Sequence, residues 1–200
     1  MNFPIIGLTG GIGSGKSVVS RILRALGIPV YDCDSQAKRL TLSSPVIQTQ
    51  LISLLGPEVY QDEGRQLNKK RMADFLFQSA ENAQKLNHII HPVVRHDFEL
   101  WAELKKAQGY HCAAIESAIL YESGFHTLAS EIWIITASEE TRARRISERD
   151  SMPPEEALRR IDFQRQNQIK ALPPTAKIIE NNPRNALLPQ IISLLSGLRG

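Results

Sequence analysis

Gly10-Gly11-Ile12-Gly13-Ser14-Gly15-Lys16-Ser17 satisfies the phosphate-loop pattern G-x-x-x-x-G-K-[ST] at every fixed position. An apolar run, Ile5 to Thr9, precedes it and reads as a strand. After it, Val18, Val19, Ile22, Leu23 and Leu26 recur at helical spacing until Gly27. Each part of such a loop has a physical task. Glycines let the backbone turn so that its N–H groups face phosphate oxygens. The helix adds its positive N-terminal end. Lys16 is placed to reach the β- and γ-phosphates of a nucleotide, and the Ser17 hydroxyl to take Mg²⁺. Nucleotide binding by Gly11 through Val18 follows.

Working outward, four further apolar runs read as buried strands: Pro29 to Tyr31, Cys112 to Ile115, Ile132 to Thr136 and Lys177 to Ile179. With Ile5 to Thr9 they predict a five-stranded parallel sheet covered on both faces. A last amphipathic helix carries Leu187, Leu188, Ile191, Ile192, Leu195 and Leu198. The spacing is uneven. Between the second and third strand candidates lie about 75 residues, far more than a crossover needs. They read as helix throughout, with Met72, Phe75, Leu76, Leu86, Ile89, Ile90, Val94, Phe98 and Trp101 as the apolar positions, and so predict a helical lobe. A second, arginine-rich insertion runs from Arg142 to Pro174.

A phosphate loop alone does not choose among kinases, GTPases and motor ATPases. The N-K-x-D guanine signature is missing, since Asn68-Lys69-Lys70-Arg71 has arginine where aspartate is required. No strand candidate ends in adjacent acids as a motor ATPase would. Glu116 closes its strand alone, and reads equally as a group near the metal through water or as a solvated strand end. Asp32 and Asp34 follow the second strand, at the edge where open α/β sheets bind ligands. A kinase needs a carboxylate there to accept a proton from the acceptor hydroxyl. The competing reading makes Asp34 the N-cap of a helix from Ser35 to Leu42.

The chain has 200 residues and a formal net charge of +3, too mild for a general polyanion binder. The charge is not spread evenly. Arg142, Arg144, Arg145, Arg149, Arg159, Arg160 and Arg165 share one segment with Glu148, Asp150, Glu155, Glu156 and Asp162, and no lysine. Guanidinium forks in a closing lid would clamp phosphates. The plainer reading is a solvated face of ion pairs that spares one or two arginines for function. No aromatic stacking pattern accompanies them, which argues against nucleic acid as a partner. Two cysteines, Cys33 and Cys112, cannot build a disulfide framework or a zinc cluster, and suit a reducing compartment. With no signal-like start and no run long enough to span a membrane, a cytoplasmic protein without membrane partner is expected.

Taken together, these residues resemble the dephospho-CoA kinase family over essentially the whole chain. The resemblance rests on Ile6 to Ser17, on Asp32 and Asp34, and on His91-Pro92 with Arg95. It rests also on Arg145-Ile146 to Arg149-Asp150, Gln164 and Asn181. It implies a three-layer α/β/α fold of the phosphate-loop, nucleoside-monophosphate-kinase type, with a helical substrate lobe and an arginine-rich lid. The implied division is a core of 1–33, 108–140 and 171–200, a coenzyme lobe of 34–107 and a lid of 141–170. The implied reaction moves the γ-phosphoryl of ATP, with Mg²⁺, to the ribose 3′-hydroxyl of dephospho-CoA. By the same resemblance Asp34 is the base and Arg145 engages ATP phosphates. Asn181 lies near the adenine, and Thr9, Asp32, His91 and Arg95 help form the acceptor site. A structural alternative for His91 is a cap or core histidine ahead of Pro92. A monomer or small homo-oligomer is expected. The chain departs from the family at Ala118, where proline is frequent, at Lys177, where aspartate is common, and at Arg142, where glutamine is frequent. Another small-molecule or nucleoside monophosphate kinase, or a nucleotide-regulated binding protein, is the alternative reading.

Overall fold

A computed structural model describes residues 3–62, 66–167 and 175–198. Contacts separate the chain into two compact units, one running to Asp32 and resuming at Leu104, the other Cys33–Glu103. The predicted end of the lid near residue 170, and Pro174, lie outside the described residues.

The first unit carries a parallel sheet. Its strands are β1 (Ile5–Thr9), β2 (Val30–Asp32), β5 (Ala113–Glu116), β6 (Glu131–Thr136) and β7 (Lys177–Glu180), in the order β2-β5-β1-β6-β7. All of β1 is buried, as its unbroken apolar run requires. Strand β7 is different. It forms the sheet edge, and only Ile179 of the expected buried run is buried, while Ile178 is exposed. Helices α1 (Lys16–Ala25) and α8 (Leu187–Gly197) pack on one face through Val19, Leu23 and Ile191, against Ile6, Leu8, Trp133 and Ile135. Burying an aliphatic side chain of this kind contributes about 1.5–3 kcal/mol. After β6, α6 (Glu139–Asp150) and α7 (Pro154–Asn167) form a hairpin with its own small core of Ala143, Ile146, Ala157 and Ile161. Ser138 caps α6 by accepting from the Thr141 N–H.

The second unit contains α2 (Cys33–Ser43), α3 (Pro45–Leu55), β3 (Tyr60–Gln61), β4 (Gln66–Leu67) and α4 (Lys69–Gln78), and α5 (Ala80–Ala107) begins in it. The sequence predicts helix throughout, and the structure corrects this. Gly56, at φ 84°, ends α3. A single-turn 3₁₀ segment, Pro57–Val59, and the antiparallel pair β3–β4 then precede α4, which starts where Asn68 accepts from the Arg71 N–H. Two-residue strands are too short to leave a period in the sequence. Nor is α4 the buried helix that Met72, Phe75 and Leu76 suggest, because none of its residues is fully buried. The unit's core comes instead from Leu40, Ile47, Leu51, Leu55, Val59, Leu86, Val94 and Phe98.

Candidate active site

The phosphate loop joins β1 to α1. Its glycines answer steric demands that no other residue meets. Gly15, at φ 96°, caps α1 with no side chain, and a Cβ there would collide with the Asn181 amide. A Cβ on Gly10 would strike the carbonyl oxygen of Ile135. The first turn of α1 holds no acid, so its N–H groups and positive end are left for an anion. Lys16 donates from Nζ to the Gly10 carbonyl at 2.8 Å, which arches its stem over the loop. Ser17 is exposed, Val18 half-buried, and Thr9 buried at the end of β1.

Carboxylates gather at the sheet edge in a way sequence adjacency hides. Asp32 and Glu116 are cross-strand partners in the β2–β5 register. Glu116 is no solvated strand end: it is half-buried and its Oε2 accepts from the buried Ser20 hydroxyl at 2.7 Å. Burial pushes its carboxyl above the ordinary range. The Ser20 bond opposes that shift, Asp32 adds to it, and Lys16 and Arg24 oppose it. The adjacent acids missing from any single strand are thus supplied by two neighbouring strands. Asp34 sits in the first turn of α2, which begins at Cys33, so it is not the N-cap. It is exposed, two residues beyond β2.

Apart from Arg159, which is exposed and forms no ion pair among the described residues, the arginine segment divides into two groups. Arg144 pairs with Glu148, Arg149 with Asp150, Arg160 with Asp150 and Glu156, and Arg165 with Glu139 and Asp162, all at the surface. Such pairs contribute little to stability. Two others reach the phosphate loop. Arg145 donates to the carbonyls of Gly13 and Ser14, both at 3.4 Å, and to the Asn181 carbonyl at 2.9 Å. Asn181, 7% exposed at the end of β7, donates from Nδ2 to the Ser14 carbonyl at 2.8 Å. Sequence reasoning pairs neither residue with the loop backbone. Arg142 donates from Nε to the Ile12 carbonyl at 2.8 Å, and Gln164 Oε1 accepts from the Ile12 N–H at 2.6 Å. The Ile12 side chain packs on the core of the α6–α7 hairpin.

The family model for dephospho-CoA kinase matches residues 4–186. The chain belongs to the dephospho-CoA kinase family. A dephospho-CoA kinase of Porphyromonas gingivalis is 41% identical over 194 residues, 97% of this chain and 94% of the relative. One of Bacteroides fragilis is 40% identical over 193 residues, covering 96% and 92%. Among solved structures, TT1252 from Thermus thermophilus superposes with a TM-score of 0.74 at 27% identity, covering 99% of this chain and 97% of the other. Dephospho-CoA kinase from Campylobacter jejuni, at 18% identity, shares the fold with a TM-score of 0.61 over 98% and 95%.

In this dephospho-CoA kinase family member, His91 and Arg95 lie on α5 with Pro92 inside the helix, so His91 is mid-helix and not a cap. Burial, then neighbouring His88, lowers the His91 imidazole below its ordinary value. Arg95 pairs along the helix with Glu99 at 3.1 Å. Among the described residues no helix is long and apolar enough to cross a membrane, and no three His, Cys, Asp or Glu side chains gather as a metal cage.

Proposed function

We propose that this enzyme transfers the γ-phosphoryl of ATP to the ribose 3′-hydroxyl of dephospho-CoA, giving ADP and CoA. The observation that carries the reading is the complete phosphate loop at the head of an uncapped, acid-free helix, in a chain of this family. The loop N–H groups and the α1 terminus hold the β- and γ-phosphates, and Lys16 balances their charge. Arg145 and Asn181, bonded to the loop's own carbonyls, brace it beside the nucleotide. Thr9, Asp32, His91 and Arg95 are assigned to the acceptor site. The helical lobe is assigned to the coenzyme and the α6–α7 hairpin to the lid.

Asp34 acts as base. Its carboxylate takes the proton of the acceptor hydroxyl as that oxygen bonds to the γ-phosphorus and ADP leaves with the electron pair of the broken bond. The carboxylate is exposed in the first turn of α2, two residues beyond β2, where an acceptor hydroxyl can approach it. Mg²⁺ fits hard oxygen donors such as the Ser17 hydroxyl, and Asp32 and Glu116, paired across β2 and β5, are further hard oxygen groups. The lack of a three-residue metal cage among the described residues suits an ion carried in on phosphates. Bound there, Mg²⁺ would neutralise charge on the β- and γ-phosphate oxygens.

The test is ATP-dependent phosphorylation of dephospho-CoA, with the phosphorylated position identified. Transfer to a nucleoside monophosphate but not to dephospho-CoA refutes the acceptor assignment. Retained transfer by Lys16→Ala refutes the loop's role.

A further inference from the structure

The helical lobe holds a cavity that the transfer chemistry leaves unused. It has about 480 Å³ and is lined by Leu54 and Leu55 at the end of α3 and by Lys70, Asp74, Phe75 and Gln78 of α4, with Asn68 and Arg71 completing the lining. It accounts for an oddity of α4, whose apolar positions include no fully buried residue: Phe75 stays half-buried beside open space. Two of the lining side chains are already committed. Asn68 accepts from the Arg71 N–H and donates to the Glu58 carbonyl at 3.3 Å. Arg71 donates from Nε to the Leu55 carbonyl at 2.6 Å and pairs with Glu58 at 3.5 Å.

Three polar side chains are not committed. Lys70 and Asp74 stand one helical turn apart, at a spacing that commonly pairs, yet among the described residues neither forms an ion pair or a side-chain hydrogen bond. Gln78 accepts from Asn82 Nδ2 at 3.3 Å, and its own amide N–H groups have no acceptor among the described residues. All three are exposed, so a ligand can reach them. The cavity thus offers a cationic donor, a neutral donor and an acceptor beside an apolar wall of Leu54, Leu55 and Phe75. Lys70 and Asp74 offset each other in charge, and Glu58 meets the charge of Arg71, so an anion is not what the lining selects. It suits a neutral, elongated molecule with amide N–H and C=O groups along an apolar stem.

The acceptor has such a part. Beyond its diphosphate, dephospho-CoA carries a pantetheine arm with secondary amides, geminal methyl groups and a thiol end. The cavity is also tied to the helix that bears the base. The Tyr60 hydroxyl donates to the Thr41 carbonyl of α2 at 2.7 Å, and Tyr60 pairs across β3–β4 with Leu67, next to Asn68. Thr41 lies seven residues after Asp34 on α2, roughly 10 Å along its axis. We propose that the cavity between α3 and α4 binds the pantetheine arm of the acceptor. Lys70 and Gln78 donate to its amide carbonyls, Asp74 accepts from an amide N–H, and Leu54, Leu55 and Phe75 cover its apolar groups. The proposal rests on the acceptor reading above and assigns recognition of the end of the substrate that does not react.

The experiment compares Lys70→Met, Asp74→Leu and the cavity-filling Leu54→Trp with wild type, in steady-state transfer to dephospho-CoA and in binding of pantetheine alone by saturation-transfer NMR. Lys70 and Asp74 are exposed, so their variants test the site even where Leu54→Trp disturbs the lobe. Phe77→Ser, on α4 but outside the cavity and 77% exposed, is the control. Contacts to a non-reacting arm act on ground state and transition state alike, so each cavity variant should raise KM for dephospho-CoA about tenfold, with kcat and the KM for ATP within about twofold of wild type. Each should also weaken the pantetheine signal, and Phe77→Ser should change neither. Unchanged KM in Lys70→Met and Asp74→Leu overturns the proposal. So does an equal rise in Phe77→Ser, which would mark a general disturbance of α4, or a pantetheine signal that wild type lacks or that the cavity variants leave intact. If wild type fails to phosphorylate dephospho-CoA but still binds pantetheine through Lys70 and Asp74, the acceptor reading falls and the arm site stands.

Discussion

Truncating Asn181 tests whether the end of β7 holds the phosphate loop in shape. The side chain donates from Nδ2 to the Ser14 carbonyl at 2.8 Å, and its Oδ1 accepts from Arg145 at 3.4 Å. Alanine removes both, but leaves the Asn181 main-chain carbonyl as Arg145's closest acceptor. Ser14 O also keeps Arg145 Nη1, at 3.4 Å. The loss is therefore one good neutral hydrogen bond, about 1 kcal/mol, with no fully orphaned carbonyl. The emptied amide volume adds a cavity cost of similar size, about 1 kcal/mol. A total of about 2 kcal/mol lowers Tm by about 4–8 °C in a chain of this size. Asn181→Leu keeps the branched shape and removes both side-chain hydrogen bonds without opening a cavity, so it separates the two costs. The loop is affected too, because Gly15 packs directly on this amide. Loss of that support should weaken ADP binding about tenfold, equivalent to about 1.4 kcal/mol. Thermal melts and ADP calorimetry on both variants measure this. An unchanged Tm with weakened ADP would refute the bracing argument, and would mean that Asn181 acts on the nucleotide alone.

Three more outcomes are expected. Asp34→Asn should lower turnover by about 10²–10⁴ with ATP affinity little changed, and near-native turnover in the coupled ADP assay removes Asp34 as base. Glu116 has a folded pKa above its unfolded one, so ionising it costs stability as pH rises from about 4.3 through the raised value. Glu116→Gln should erase that slope and raise Tm at neutral pH, so a wild-type-to-variant difference constant from pH 4 to 7 contradicts it. His91 is the converse case: its lowered pKa means stability is lost as pH falls below about 6.5. His91→Gln should flatten the acid limb of the melting curve, and an unaltered limb argues against a half-buried imidazole held below its ordinary value.

Much of this was legible because a single strong motif fixed its own surroundings. A strand must enter the phosphate loop and a helix must leave it, and the unbroken apolar runs of β1 and β5 could only be sheet interior. What the sequence concealed was cross-chain pairing. Asp32 and Glu116 become neighbours only through strand order, since β5 inserts between β2 and β1. No local window contains that fact. The β3–β4 pair is hidden for the opposite reason, being too local and too short to show a period. Among seven arginines in one segment, composition could not tell surface from site. The division follows from position on α6: Arg142 and Arg145 are one turn apart and meet the loop, Arg144 is on another face, and Arg149, on the same stripe but a turn further along, pairs with Asp150 instead.

That division bears on how a lid can work here. A hairpin that closes over a nucleotide is usually pictured as free until it closes. In this chain both main-chain groups of Ile12 are held by the hairpin, the N–H by Gln164 on α7 and the carbonyl by Arg142 on α6. The Ile12 side chain is seated among Ala143, Ile146, Ala157 and Ile161. Any motion that lifted α6 off the loop would therefore break two hydrogen bonds and expose apolar surface at the loop's crown together. Motion of α6 and α7 as a whole would deform the phosphate cradle itself. The base of the hairpin is thus better understood as part of the loop's scaffold, fixing the N–H groups before the nucleotide arrives. Preorganised donors of this kind do not have to reorganise during transfer, which is why they stabilise developing charge better than flexible groups do.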